Sequence, residues 1–271
     1  MPDYKVCYEK LIEKIDIDQK SLTNRELIEI CQPEIQLFSL NSDPHLCHEI
    51  VEAAVNFLIL TKYARFALFS DNCQETVRDL LEPLLMRLPT QTWRSTEQIK
   101  WQQFSTPPTI AFLLTYLLNL TKQKTILEPS AGTGNLAVWS RGIGSRTLTN
   151  EIDPRRRTLL TTLGFEPTAY NAENIHDYLS PETQIDCVMM NPPFSANGGR
   201  TKNSSKYGFR HVESALERLR KGGRFGVILG EAGGLDTKTG SEFWHKLLDR
   251  FEVRANLKLS GREYYKFGSA T

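Results

Sequence analysis

The chain has 271 residues, 40% hydrophobic, 24% charged and 10% aromatic, the profile of a globular protein of one large or two small domains. Its net charge of +1 conceals a division: residues 1–95 carry 10 basic against 15 acidic side chains, and residues 96–271 carry 23 against 17. The longest mainly apolar run, Ile110 to Leu120, is far short of the roughly 20 residues that span a bilayer, and the charged start lacks the apolar centre of a secretion signal. No membrane partner is expected, and the cytoplasm is the expected compartment. Five cysteines without a CxxC pair signal neither a disulfide framework nor zinc, and His45, Cys47 and His48 lack a fourth ligand at a usual spacing, so no metal is expected.

Up to about residue 90 the pattern is helical. Leu22, Leu27 and Ile28 start one apolar stripe; Cys47, Ile50, Val51, Ala54 and Leu58 form a second at the spacing of a buried helix face. Pro33, the Asn41–Pro44 cluster and the Ser70–Asn72 cluster punctuate them. The reading is a helical N-terminal region over 1–95 with no catalytic signature of its own. A polar stretch with Trp93 and Trp101 marks the junction.

From residue 96 the period changes. A helix from Pro108 leads to a strand at Thr125–Leu127, followed by strands near Thr147–Asn150, Thr168–Tyr170, Asp186–Met190, Arg224–Leu229 and Val253–Leu259. Helices are predicted from Pro154, with Asp153 as N-cap and Gly164 past the end, over His211–Leu219 and over Ser241–Asp249. This alternation predicts a doubly wound, mainly parallel α/β sheet, whose ligands sit beyond the carboxyl ends of the strands.

Two loops carry chemistry. The first strand runs into Glu128-Pro129-Ser130-Ala131-Gly132-Thr133-Gly134, where glycines let backbone approach a ligand, and the second ends near Glu151, a carboxylate able to accept both hydroxyls of a ribose. The fourth ends in Asn191-Pro192-Pro193-Phe194. There the Asn191 side-chain oxygen and the Pro192 carbonyl supply two neutral acceptors and Phe194 a stacking face, which suits a planar substrate bearing an NH₂ group. Hydrogen bonds at both amine hydrogens favour a more tetrahedral, nucleophilic nitrogen, and no strong base is required. Between Ser195 and Arg210, Arg200, Lys202, Lys206 and Arg210 stand without an acid alongside Tyr207 and Phe209, a composition suited to phosphates beside an extruded base. Arg155, Arg156 and Arg157, consecutive on a helix, point in different directions and read as surface charge.

From Gln103 to Thr271 the sequence resembles the N(6)-adenine DNA methyltransferases with the γ-like motif order. Phe104-Ser105-Thr106-Pro107 resembles their segment contacting S-adenosyl-L-methionine (SAM), Glu128 to Gly134 their SAM loop, Glu151 the ribose-binding acid, Glu173 the acid near the cofactor's adenine, and Asn191 to Phe194 the catalytic tetrad. Arg210-His211-Val212, Gly222-Gly223-Arg224 and Tyr264 to Gly268 resemble, more weakly, the methylase portion of large methylase/helicase proteins of mobile elements. The resemblance implies a Rossmann-like SAM-dependent methyltransferase sheet over 96–271, SAM bound by Phe104, Ser105, Thr106, Pro107, Glu128, Ser130, Ala131, Gly132, Gly134, Glu151, Glu173 and Asn191, and catalysis by Asn191, Pro192, Pro193 and Phe194. DNA, as a duplex with an extruded adenine or a single strand, is the implied partner, held by Arg200, Lys202, Lys206 and Arg210.

The family's target-recognition region has no counterpart here, so a partner segment or subunit is expected to supply it. The final strand that closes such sheets would follow Gly268, where three residues remain, so the chain is expected to be a fragment or to need a partner segment. Competing readings are methylation of guanine in RNA or glutamine in a protein, a non-catalytic SAM-fold subunit, and a dinucleotide oxidoreductase, which leaves the tetrad unexplained.

Overall fold

Thr23 starts a helix with a reciprocal cap: its hydroxyl accepts from the Glu26 N–H, and the Glu26 carboxylate accepts from the Thr23 N–H. The computed structural model describes residues 4–37, 43–91, 104–122, 124–193 and 207–267. Its N-terminal helices are α1 (Lys5–Ile12), α2 (Asn24–Gln36), α3 (Pro44–Leu58), α4 (Ala64–Leu68) and α5 (Glu82–Arg87). Pro33, expected to punctuate, lies inside α2; burial of Leu27, Cys31 and Ile35 one turn apart outweighs the backbone hydrogen bond that proline cannot make. α3 opens on Pro44 with Asp43 as cap, as its residue types dictate, and is buried on almost every side.

The remainder alternates. α6 (Pro108–Leu117) precedes β1 (Thr125–Glu128), α7 (Ala137–Gly142), β2 (Arg146–Thr149), α8 (Pro154–Thr162), β3 (Ile185–Met190), α9 (Tyr207–Leu216), β4 (Leu219–Val227) and α10 (Lys238–Leu248). The strands pair in the order β2-β1-β3-β4, all parallel. Ile126, Cys187 and Met189 face a core shared with α1–α8, whereas Leu127, Val188 and Met190 face a second core built with α9 and α10. A parallel sheet buried on both faces in this way is the doubly wound, Rossmann-like α/β arrangement that the sequence predicts.

Two predicted strands differ. Thr168 makes only an isolated parallel bridge with Asn150, because the Asn150 side-chain amide takes over the next ladder positions, donating to Tyr170 O and accepting from Tyr170 N–H, both about as long as backbone bonds at 3.0 and 2.8 Å. Val253–Leu259 is irregular, with Val253 and Leu257 exposed; among the described residues β4 is the sheet edge, and no strand lies beside that segment to pair with it.

The N-terminal helices share the first core. Gly142, ending α7, touches them so closely that a Cβ there would stand 2.5 Å from the Ala64 Cβ and 3.2 Å from the Leu60 carbonyl. Gly142→Val is therefore expected to lower stability by about 1–3 kcal/mol through overpacking. Urea unfolding with tryptophan emission checks this; an unchanged midpoint would contradict the contact.

Candidate active site at the switch point of the sheet

β1 and β3 are neighbours whose following connections lead to opposite sides of the sheet, which opens a crevice beyond their carboxyl ends. β1 delivers Glu128–Gly134 there, and β3 delivers Asn191–Pro193. Gly132 and Gly134 hold φ +57° and +96°, a region side chains resist, and a Cβ at Gly134 would meet Leu160 at 3.0 Å. The loop thus turns sharply and sits tight on α8.

Glu151 follows β2 and closes on this loop. One carboxylate oxygen accepts from the Gly132 N–H at 2.7 Å and the other from the Asp153 N–H at 2.8 Å. Burial pushes its carboxyl above the usual range, with the Arg156 charge and the two backbone donors pulling against it. Glu128 is 2% exposed; burial holds its carboxyl well above the usual range, the Ala137 N–H opposes this, and Oε2 meets no hydrogen-bond partner among the described residues.

Asn191 is oriented by its own amide. Nδ2 donates to Thr106 Oγ1 at 2.9 Å and to the Phe104 carbonyl at 3.4 Å, so Oδ1 remains as an acceptor for something else. Thr106 is buried, and Pro107 directs the chain into α6 immediately behind it. Pro193 packs against the start of α9, where a Cβ on Gly208 would come within 2.8 Å of the Pro193 carbonyl. Both prolines and the glycine therefore leave little freedom to the backbone that presents Asn191.

The structure brings together Ser105, Thr106, Glu128, Ser130, Gly132, Gly134, Glu151 and Asn191 at or beside this crevice. Ser130 Oγ lies 3.2 Å from Nδ1 of His211 on α9, and burial lowers the His211 pKa to about 4, which keeps the ring neutral. Glu173 pairs at 2.8 Å with Arg210, so Arg210 is a helix residue with a protein partner and not a member of a free basic loop. Phe209 is also corrected: it is buried and stacked on Phe243 at 4.1 Å between ring centres, a core position. Phe194, Arg200, Lys202 and Lys206 lie outside the described residues.

The arginine triplet is corrected as well. Arg156 is 4% exposed and donates from Nε to Glu49 at 2.9 Å; Arg155 reaches the same carboxylate at 2.7 Å, and Arg157 donates to the carbonyls of Glu151 and Ile152. Arg155 and Arg156 thus tie α8 to α3, and Arg157 braces the loop after β2. Their partner exposes what the apolar stripes concealed. Glu49, Glu52 and Asn56 recur at helical spacing on α3 and form a buried polar face against the cofactor-type loops. Asn56 donates to the Thr133 carbonyl at 2.9 Å and to Asn135 Oδ1 at 2.6 Å, while Glu52 accepts from Ser105 at 2.6 Å and Thr133 at 3.2 Å. The signal present in the sequence was polar residues keeping the period of a helix whose other face was already apolar.

A glycine loop that admits backbone contact, a carboxylate at the end of the adjacent strand and an acceptor pair after β3 fit a nucleoside-bearing cofactor on one side and an amine on the other. No protein family and no curated protein sequence matches the chain. Solved structures similar to it include TrmN from Thermus thermophilus, with 19% identity over 49% of this chain and 41% of that one and a TM-score of 0.38. Also similar are a protein from Pyrococcus horikoshii attributed to the RNA methyltransferases (20% identity, 63% and 80% covered, TM-score 0.45) and a modification subunit attributed to a type I restriction enzyme of Vibrio vulnificus (15%, 54% and 38%, TM-score 0.40). The chain thus spans about two fifths of the length of the first and third. At these identities and TM-scores, substrate and chemistry rest on the chain's own residues.

Proposed function

We propose that the protein transfers a methyl group from SAM to the exocyclic amino group of adenine in DNA. The observation that carries this reading is Asn191 at the end of β3, with Nδ2 occupied by Thr106 and Phe104 and Oδ1 left to accept. An aromatic amine is a poor nucleophile because its lone pair is shared with the ring. Asn191 Oδ1 and the Pro192 carbonyl, accepting one amine hydrogen each, draw that lone pair back to nitrogen, and both are neutral, so they bind the amine without first removing a proton.

The same residues fit SAM. Gly132 and Gly134 clear the loop of side chains, Glu151 offers carboxylate oxygens to ribose hydroxyls, and Phe104–Pro107 forms the wall that also orients Asn191. When bound, SAM supplies an electrophilic methyl group on a positively charged sulfur. Nucleic acid is the proposed partner because residues 191–271 carry 15 basic against 8 acidic side chains, with Arg200, Lys202 and Lys206 directly after the tetrad. Phe194 is proposed to stack on the extruded base.

Asn191→Ala is expected to leave SAM affinity nearly unchanged and to lower turnover by about 10²-fold or more. Thr106→Val, which removes the acceptor that orients the Asn191 amide, is expected to lower turnover to a smaller extent. Titration calorimetry beside single-turnover methyl transfer checks both; equal losses of affinity and turnover in Asn191→Ala would contradict the assignment. Glu151→Ala is expected to weaken SAM binding by about 1.5–3 kcal/mol, the range for hydrogen bonds to a charged group. Unchanged SAM affinity in calorimetry would remove Glu151 from the ribose role.

A further inference from the structure

We propose that Glu52, on helix α3 of the N-terminal region, is a positioning residue of the cofactor site, holding the Phe104–Pro107 segment and the glycine loop at a fixed separation. The inference rests on the reading that those two segments bind SAM. One carboxylate oxygen of Glu52, Oε2, accepts from Ser105 Oγ at 2.6 Å and from Thr133 Oγ1 at 3.2 Å. These hydroxyls belong to segments that come from different parts of the chain and meet at one carboxylate oxygen on α3. Asn56, one turn along, fixes the Thr133 carbonyl, and Glu49, one turn back, fixes Arg156 beneath Gly132, where a Cβ would lie 3.4 Å from the guanidinium. Ser105 is followed by Thr106, which orients Asn191. A displacement of Ser105 is therefore passed to the acceptor of the proposed reaction.

A carboxylate at a position 6% exposed is costly, and an apolar side chain of similar volume would serve packing alone at least as well. Its retention is accounted for by the two hydroxyls it accepts from. Both donate to one oxygen, an arrangement that favours the ionised form, since a carboxylate oxygen accepts more strongly than the oxygen of a neutral carboxyl. The charged groups facing it are Arg156 from α8, which favours ionisation, and Glu49 from its own helix, which opposes it. His48 and Lys266 line the small cavity beside it, and burial keeps His48 neutral with a pKa near 4. Burial raises Glu52 itself to about 7, so the clamp is complete above neutral pH and loosens as pH falls through that value.

The test is SAM affinity by titration calorimetry at pH 6, 7 and 8 for the full chain and for Glu52→Gln, Glu52→Ala and Thr133→Val, with an unfolding midpoint recorded for each. The wild type is expected to gain about threefold to tenfold in affinity from pH 6 to 8; Glu52→Gln, which still accepts hydrogen bonds but does not titrate, is expected to bind within about threefold of the wild type at pH 6 and to lose the Glu52-dependent gain. Comparing the slopes of the two proteins removes any titration of SAM itself. Glu52→Ala is expected to bind about tenfold or more weakly at every pH, and Thr133→Val, which keeps the buried carboxyl, about threefold or more weakly at pH 8. Wild-type affinity and pH slope in both Glu52→Gln and Thr133→Val would overturn the role even if Glu52→Ala failed to fold. Absence of SAM binding by the wild type would overturn the cofactor reading itself, and the clamp with it.

Discussion

The buried contact between Glu49 and Arg156 is the constraint on which the rest of the site depends. It ties α3, in the acidic N-terminal region, to the first turn of α8, and the same guanidinium lies under Gly132 and acts on Glu151. Removing Glu49 would take a direct partner from Arg156 at 2.9 Å and from Arg155 at 2.7 Å, and would cost stability through the buried charge left with fewer partners. Burial alone disfavours the charged guanidinium, but Glu49, Glu151 and Glu52 around it more than compensate and raise its pKa. The N-terminal helices thereby act as the floor of the glycine loop, and two of their acids, Glu49 and Glu52, face the buried Arg156.

From that floor the geometry follows in order. α8 is held close, so the loop above it must turn through left-handed glycines; the turn places the Gly132 N–H against Glu151; and the sheet order places β3 next to β1, so Asn191 emerges beside the same loop. The Phe104–Pro107 segment lies beside the crevice and decides which end of the Asn191 amide is available. Glu52 and Asn191 are joined through two hydroxyls, Ser105 and Thr106, that are neighbours in the chain.

Much of this was legible in the sequence because local chemistry agreed with the final fold. Asp153-Pro154 at the start of α8, Gly164 beyond its end and the Glu128–Gly134 turn are each fixed by their own residue types. What was not legible depended on partners distant in the chain. Arg156 reads as surface charge until Glu49, more than a hundred residues earlier, is placed against it. Phe209 reads as a companion of the basic loop until Phe243 stacks on it. Val253–Leu259 has the composition of a strand, yet a strand exists only beside another, and among the described residues nothing pairs with it. The polar face of α3 is hidden in the sequence because its apolar face accounts for the helix by itself.

Asn191 is proposed to present an acceptor to an aromatic amine beside bound SAM. Incubating the protein with SAM labelled in its methyl group and with DNA, RNA and protein in parallel, followed by complete digestion and identification of the labelled product, tests it most directly. The account predicts label in N(6)-methyladenine from DNA, abolished by Asn191→Ala. Label confined to RNA guanine or to protein glutamine, or none from a preparation shown to bind SAM, would contradict it.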